Sequence, residues 1–290
     1  MDLPIVVGVD GSEPSLRAVD WAADEAALRG APLRLVYASL WDRYEGALLA
    51  QELNRPKEEV MAQDVVGTAE SRARRRRPEV RVATYVLPEE AADGLVRESR
   101  VALAVVLGCR GRGGMAEALL GSVSLTVAGR AQCPVIVLRG GHDDRDPSAQ
   151  HGPVVLGVGE KPTLSAAARF AAEEALLRGV PLKALRAWRH PAHAAAGHPP
   201  RAGEPARFEE QRAAEAAAEA LTDTPAGLRV DHLALEGPAR DVLLTASSEA
   251  GLLVVGARRR HGPFGLHLGR VVHGVLHHAA CPVAVVPEPP

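Results

Sequence analysis

The sequence predicts an α/β protein made of two tandem doubly wound domains. Each is a five-stranded parallel sheet, order 3-2-1-4-5, with helices on both faces. Three observations predict it. Short apolar runs alternate with longer segments of helical periodicity, the pattern of a parallel sheet covered on both sides. The alternation runs through twice. Trp21-Ala-Ala-Asp-Glu-Ala-Ala-Leu-Arg-Gly30-Ala-Pro-Leu33 returns 149 positions later as Phe170-Ala-Ala-Glu-Glu-Ala-Leu-Leu-Arg-Gly179-Val-Pro-Leu182, and Cys133-Pro134-Val135 returns 148 positions later as Cys281-Pro282-Val283. Finally, in the first copy a glycine-rich stretch beginning at Gly108 follows the fourth apolar run. The carboxyl end of such a strand is where open α/β sheets carry their ligands.

The elements follow in order. Ile5 to Val9 is a short apolar run, read as a buried parallel strand. Ser12 or Ser15 can cap the next helix, with Pro14 early in it. Its apolar positions Leu16, Val19, Ala23, Ala26 and Ala27 recur at helical spacing, and Gly30 with Pro32 stops it. Leu33 to Ala38 is the second strand, and residues 41–55 read as an irregular connection. Lys57 to Arg76 is a charged amphipathic helix. Val80 to Leu87 is the third strand, Ala91 to Ser99 a helix, Leu103 to Leu107 the fourth strand, Ser122 to Gln132 the last helix, and Val135 to Leu138 the last strand.

The repeat sets the domains at residues 1–140 and 153–290, with 141–152, which carries Asp143, Asp144, Asp146 and Pro147, as linker. The period is too long for a solenoid. Hydrophobic residues make up 47% and charged residues 24%, enough apolar matter for each half to bury a core. A net charge of −2 gives no global attraction to nucleic acid or an anionic membrane. No apolar run approaches a membrane span and no leader segment is recognisable, so a cytoplasmic location is expected. Of the three cysteines, Cys133 and Cys281 hold equivalent positions before a strand and read as small buried residues rather than a disulfide.

The chemistry concentrates in Gly108-x2-Gly111-x9-Gly121-Ser122. Such a loop can turn several backbone N–H groups toward one point, and the helix start after it adds partial positive charge, which suits phosphate. Asp10, at the end of the first strand, offers a carboxylate for a ribose hydroxyl, a base amine or a metal. A P-loop is excluded, because Gly-x4-Gly-Lys-Ser/Thr does not occur, and the dinucleotide fingerprint belongs after a first strand rather than a fourth.

The spaced glycines, Val6-Val-Gly-Val-Asp10-Gly-Ser12 and Cys133-Pro134 together resemble the ATP-binding pattern of the universal stress protein family, over nearly the whole chain. The resemblance implies ATP, with or without Mg²⁺, held in the first half by Gly8, Val9, Asp10, Gly11, Ser12, Ala38, Gly108, Arg110, Gly111, Arg112, Gly113, Gly114, Gly121, Ser122, Val123 and Ser124. Ala38 would lie beside the adenine. It also implies that the last strands pair, so that the halves form an internal pseudo-dimer; a homodimer is the alternative. The function implied is ATP-dependent stress signalling. The rivals are a slow ATPase or adenylyl-transfer enzyme, and a scaffold that binds no nucleotide.

The second half departs from the pattern. Gly159 stands for Asp10, Glu160-Lys161 for Gly11-Ser12, Arg259 for Gly111, His261 for Gly113, and Arg270 for Ser122. Either the arginines Arg258, Arg259, Arg260 and Arg270 fill the cavity or pair with acids, or this half takes a different anion through guanidinium groups. Three other features are read structurally. His273 and His277 share a helix face, but a metal site needs three or four converging ligands. The basic run Arg72 to Arg77 ends a helix, with no aromatic residues interleaved, and reads as a solvated end rather than a nucleic-acid surface. No catalytic residue emerges: Ser122 and Ser124 have no His partner in the motif, and Cys109 has no base, so slow hydrolysis is the most expected of the site.

Overall fold

The computed structural model describes residues 2–39, 57–109, 120–139, 152–159, 165–189, 204–221, 227–258 and 268–288. Among these, one compact unit runs to Leu138 and a second begins at Arg139.

In the first unit the elements are β1 (Ile5–Gly8), α1 (Glu13–Arg29), β2 (Leu33–Ala38), α2 (Lys57–Arg76), β3 (Val82–Leu87), α3 (Ala91–Glu98), a 3₁₀ turn (Ser99–Val101), β4 (Ala104–Gly108), α4 (Ser122–Arg130) and β5 (Val135–Leu138). All strand pairs are parallel, in the order β3-β2-β1-β4-β5. Ile5 lies opposite both Leu33 of β2 and Ala104 of β4, so the sheet is extended to one side of β1 first and then to the other. α1 packs on α2, and α3 packs on α4. Right-handed crossovers running outward from a central strand put such pairs on opposite faces. Ile5, Val6, Val7, Leu33, Leu35, Val105, Val106 and Val135 are fully or almost fully buried, which explains why these strands read as continuous apolar runs.

The boundaries differ from the sequence expectation at six ends, the first being β1, which stops at Gly8 rather than Val9. β3 starts at Val82 rather than Val80, and β4 is shifted by one residue, to Ala104–Gly108. α4 ends at Arg130, before Gln132. α3 stops at Glu98, because Ser99 turns its hydroxyl back to the Val96 carbonyl while accepting the Gln132 N–H, and the last turn tightens to 3₁₀. Of the two candidate caps, Ser12 is the N-cap of α1 and accepts from the Ser15 N–H, with Pro14 in the first turn. Gly30 ends α1 at φ 62°, a left-handed position that glycine takes without strain.

The basic run at the end of α2 is not simply solvated, which corrects the sequence reading. Arg72 donates to both oxygens of Asp20, at 2.6–2.9 Å, and reaches Glu13 at 3.2 Å; Arg76 and Arg77 both pair with Asp24. Asp20 is only 6% exposed. Its hydrogen bonds hold the Arg72 guanidinium in the charged form, above the usual arginine range. The run clamps α2 to α1, so these guanidinium groups are spent on carboxylates.

The second unit repeats the plan: β6 (Val154–Gly157), α5 (Ala166–Arg178), β7 (Leu182–Trp188), α6 (Glu204–Glu219), β8 (Val230–Glu236), α7 (Ala239–Ser247), β9 (Leu252–Arg258), α8 (Arg270–His278) and β10 (Val283–Glu288). Its parallel order is β8-β7-β6-β9-β10. Gly179 ends α5 at φ 65°, as Gly30 ends α1. A buried glutamate one turn before each stop, Glu25 or Glu174, pairs with Arg29 or Arg178. Cys109, Cys133 and Cys281 are free and buried, and burial pushes the Cys133 and Cys281 thiols up to about 12. Among the described residues no helix is long and apolar enough to cross a membrane.

Candidate functional site

In the first unit β1 lies between β2 and β4, so the carboxyl ends of these three strands are neighbours at the point where the strand order reverses. That is where an open α/β sheet leaves room for a ligand. Three segments meet the edge there.

The first is the turn after β1. Val9 continues the ladder, donating its N–H to Val36. Asp10 then folds over the following residues: its Oδ1 accepts the Ser12 N–H at 3.0 Å and the Ser12 hydroxyl at 2.6 Å. Gly11, between them, sits at φ 80°, which explains the glycine. Ser15 donates its hydroxyl to the Ser12 carbonyl. The Asp10 carboxylate therefore organises the entry to α1 and stands half-buried at the strand end.

The second segment is the base of the glycine-rich loop. Residues 110–119 lie outside the described residues, so Arg110, Gly111, Arg112, Gly113 and Gly114 have no assigned place. Both ends of the loop are fixed. The Gly121 N–H donates to the Cys109 carbonyl at 2.8 Å, and the Ser124 hydroxyl donates to the Gly108 carbonyl at 2.8 Å. These two bonds bring the end of β4 to the start of α4 and pinch the loop at its neck. Gly121 is the N-cap of α4, and no side chain caps that end; no acidic residue occupies the first turn. The first-turn amides of Ser122, Val123 and Ser124 have no carbonyl four residues back within the helix. A donor set with no side-chain acceptor among the described residues fits an anion. Ser122 is exposed and Ser124 buried. Ser122 is the first helical residue and not the cap that its hydroxyl could have made it.

Two of the glycines assigned to this site have packing roles. A Cβ on Gly108 would come within 2.7 Å of the Pro14 carbonyl carbon and oxygen and 2.9 Å of the Ser15 nitrogen. Gly108 thus lets the start of α1 lie directly on β4, which fixes the Asp10 turn beside the loop neck. A Cβ on Gly8 would strike Leu107 at 2.6 Å. The third segment is the end of β2, where Ala38 pairs in register with Leu87.

The second unit carries a different arrangement at the same edge. Gly159 is exposed and offers no carboxylate. Glu160, Lys161, Arg259, Arg260 and His261 lie outside the described residues. A group that the sequence reading missed, Glu288 at the end of β10, accepts from the Ser165 hydroxyl and from the N–H groups of Ala166 and Ala167, capping α5. It lies over Gly256, where a Cβ would come within 2.8 Å of its Oε1. The only sequence signal was a charged residue ending an apolar strand. Arg270 starts α8 in the place of Ser122 and, with Trp188 and Arg240, lines a cavity of about 530 Å³. Among the described residues neither Arg258 nor Arg270 pairs with an acid. The rings of His273 and His277 stack 4.3 Å apart, and no cluster of three or more metal-ligating side chains occurs among the described residues.

The family model for the universal stress protein family matches residues 3–139 and again 151–287. The chain belongs to the universal stress protein family. The similarity to two curated relatives extends over nearly the whole chain. A universal stress protein of Mycobacterium tuberculosis is 33% identical over 305 residues, covering 97% of this chain and 96% of its own. Another from that organism is 34% identical, covering 99% and 97%. Among solved structures, a universal stress protein from Archaeoglobus fulgidus superposes with a TM-score of 0.68 at 17% identity, covering 99% of this chain and 98% of that one; this likeness concerns the fold.

Proposed function

We propose that this universal stress protein binds ATP in its first unit and acts as a binding and signalling protein rather than a catalyst. The observation that carries the reading is the pinched neck of the glycine-rich loop. The Gly121–Cys109 and Ser124–Gly108 bonds bring the end of β4 to a helix start that has N–H donors and no side-chain cap, and the ten residues 110–119 between them include three glycines. Phosphate oxygens supply the acceptors that this set lacks. In the proposed complex, Ser122, Val123, Ser124 and the loop glycines Gly111, Gly113 and Gly114 face the phosphates, Asp10 takes a ribose hydroxyl, and Ala38 lies beside the adenine. Mg²⁺, when present, rides on the phosphates; Asp10 alone, with Oδ1 already accepting twice from Ser12, is a poor cage for it.

Loss of the carboxylate at Gly159, the guanidinium at Arg270 and the carboxylate of Glu288 on α5 all support a second unit that does not take ATP. We further propose, from the apolar final strands and the family resemblance, that the halves associate as a pseudo-dimer within the chain. No group in the described part of the motif is placed as a general base, which favours holding ATP over turning it over. Mass spectrometry of the purified chain tests the reading. ATP should co-purify with the parent and be absent from Gly111→Val, whose branched side chain would obstruct the loop's approach to phosphate. Nucleotide-free parent protein that also fails to bind added ATP would favour the scaffold reading.

A further inference from the structure

The cavity of the second unit has a composition of its own. It is lined by the end of β7 (Ala187, Trp188, Arg189), the β8–α7 turn with Arg240, and the start of α8 with Arg270; it is partly open to solvent, its three arginines are exposed, and its volume is about 530 Å³. That volume suits a small organic molecule.

Its polar groups are donors. Arg189, Arg240 and Arg270 form no ion pair among the described residues. The acids nearest Arg240 in sequence, Asp241 and Glu236, do not line the cavity. α7 and α8 both begin here, with Pro238 and Gly269 as N-caps that offer no side-chain hydrogen bond. The Trp188 indole N–H is buried and has no hydrogen-bond partner among the described residues.

Comparison within the repeat shows that this is a reversal of charge. Register matches Leu235 of β8 with Ala187, as it matches Leu87 of β3 with Ala38. Gly237, Pro238 and Arg240 therefore stand where the first unit has Glu89, Glu90 and Ala92. Arg270 stands where it has Ser122. Two carboxylates have gone and two guanidinium groups have arrived, while Glu236 replaces Pro88. Arg240 also has a prepared seat. Its side chain lies across α8 at Gly274, where a Cβ would come within 2.8 Å of Cδ and 3.2 Å of Nε; the first unit has Thr126 at that position. Arginine and glycine form a matched pair across the two helices.

We propose that this cavity binds a small, multiply charged organic anion that is not a nucleotide. Arg240 and Arg270 grip its phosphate or carboxylate groups, and its body lies against Trp188 and Val271. Guanidinium groups recognise such oxyanions by paired hydrogen bonds. The ribose-binding carboxylate of a nucleotide site has no counterpart here, since Gly159 stands in its place. The inference does not depend on nucleotide binding by the first unit.

The test follows tryptophan fluorescence of the full chain titrated separately with inorganic pyrophosphate, citrate and ATP. Pyrophosphate or citrate should change the emission saturably, and the change should vanish in Trp188→Phe. The tighter of the two tells whether the anionic groups are phosphates or carboxylates. Arg240→Gln and Arg270→Gln should each weaken that response tenfold or more, with Arg240→Lys intermediate and circular dichroism unchanged. Added salt should weaken it as well. No Trp188-dependent response to either probe at millimolar concentration would overturn the proposal, as would a response that survives both glutamine substitutions. ATP binding at this site more than tenfold tighter than pyrophosphate would overturn the assignment to a non-nucleotide anion.

Discussion

Gly108→Ala should destabilise the first unit, whereas Gly256→Ala, its counterpart in the repeat, should not harm the second. At Gly108 the new Cβ meets backbone atoms of Pro14 and Ser15 at 2.7–2.9 Å. Backbone at the start of a helix packed on a sheet cannot step aside, so the cost falls at the upper end of the ~1–3 kcal/mol of overpacking. Replacing a strand glycine recovers about 0.5–1 kcal/mol. The net loss is about 2 kcal/mol on these two figures. At Gly256 the nearest atoms belong to the Glu288 side chain, which can swing away. The substitution then forfeits a helix cap of about 1 kcal/mol and regains a similar amount from the backbone, so stability is nearly unchanged. Urea denaturation separates the two. In a Trp188→Phe background the emission comes from Trp21 and Trp41 in the first half, and in the parent Trp188 reports the second. Gly108→Ala as stable as the parent, or Gly256→Ala as damaging as Gly108→Ala, would refute the packing argument. If the argument holds, Gly108→Ala should also weaken ATP, because it lifts α1 and the Asp10 turn away from β4.

Ser122→Ala should weaken ATP by about 1–3 kcal/mol, the range for a hydrogen bond to a charged partner, and leave stability unchanged because Gly121 holds the cap; calorimetry and urea denaturation read the two effects separately. Asp20→Asn should cost about 1.5–3 kcal/mol, since Arg72 loses its charged partner on α1 and keeps only Glu13; the loss should shrink in high salt, and a urea midpoint unmoved from the parent would contradict it. Cys133 and Cys281 should resist iodoacetamide at pH 8 until the chain is unfolded. Their folded thiols titrate at about 12 against an ordinary 9.0, so the stability they contribute is complete below pH 9 and is lost as pH rises toward 12, when the unfolded thiols ionise first. The double substitution to alanine should flatten that part of the alkaline stability profile.

The architecture was legible because burial on both faces writes itself as runs such as Ile5-Val6-Val7, and because Gly30 and Gly179 stop their helices by a left-handed turn that few residues replace. The Asp10–Gly11–Ser12 turn was legible as chemistry, and the structure adds that its carboxylate is also the clasp of that turn. Gly108 could be noticed but not interpreted: a glycine needed for close approach looks the same whether phosphate or the α1 backbone approaches. The Arg72–Asp20 clasp spans 52 positions, and the arginines were visible without their acids. Glu288, Arg240 and Gly274 were invisible for a similar reason. Each matters through a neighbour that only the fold supplies, Ala166 and Ala167 for the first, and α8 lying beside α7 for the other two.

The most direct measurement of the central claim is the calorimetric stoichiometry of ATP binding to the full chain, taken for the parent and for Gly111→Val. One ATP per chain in the parent and none in the variant is the predicted result. Two equivalent sites per chain, or one site that persists in Gly111→Val, would contradict it.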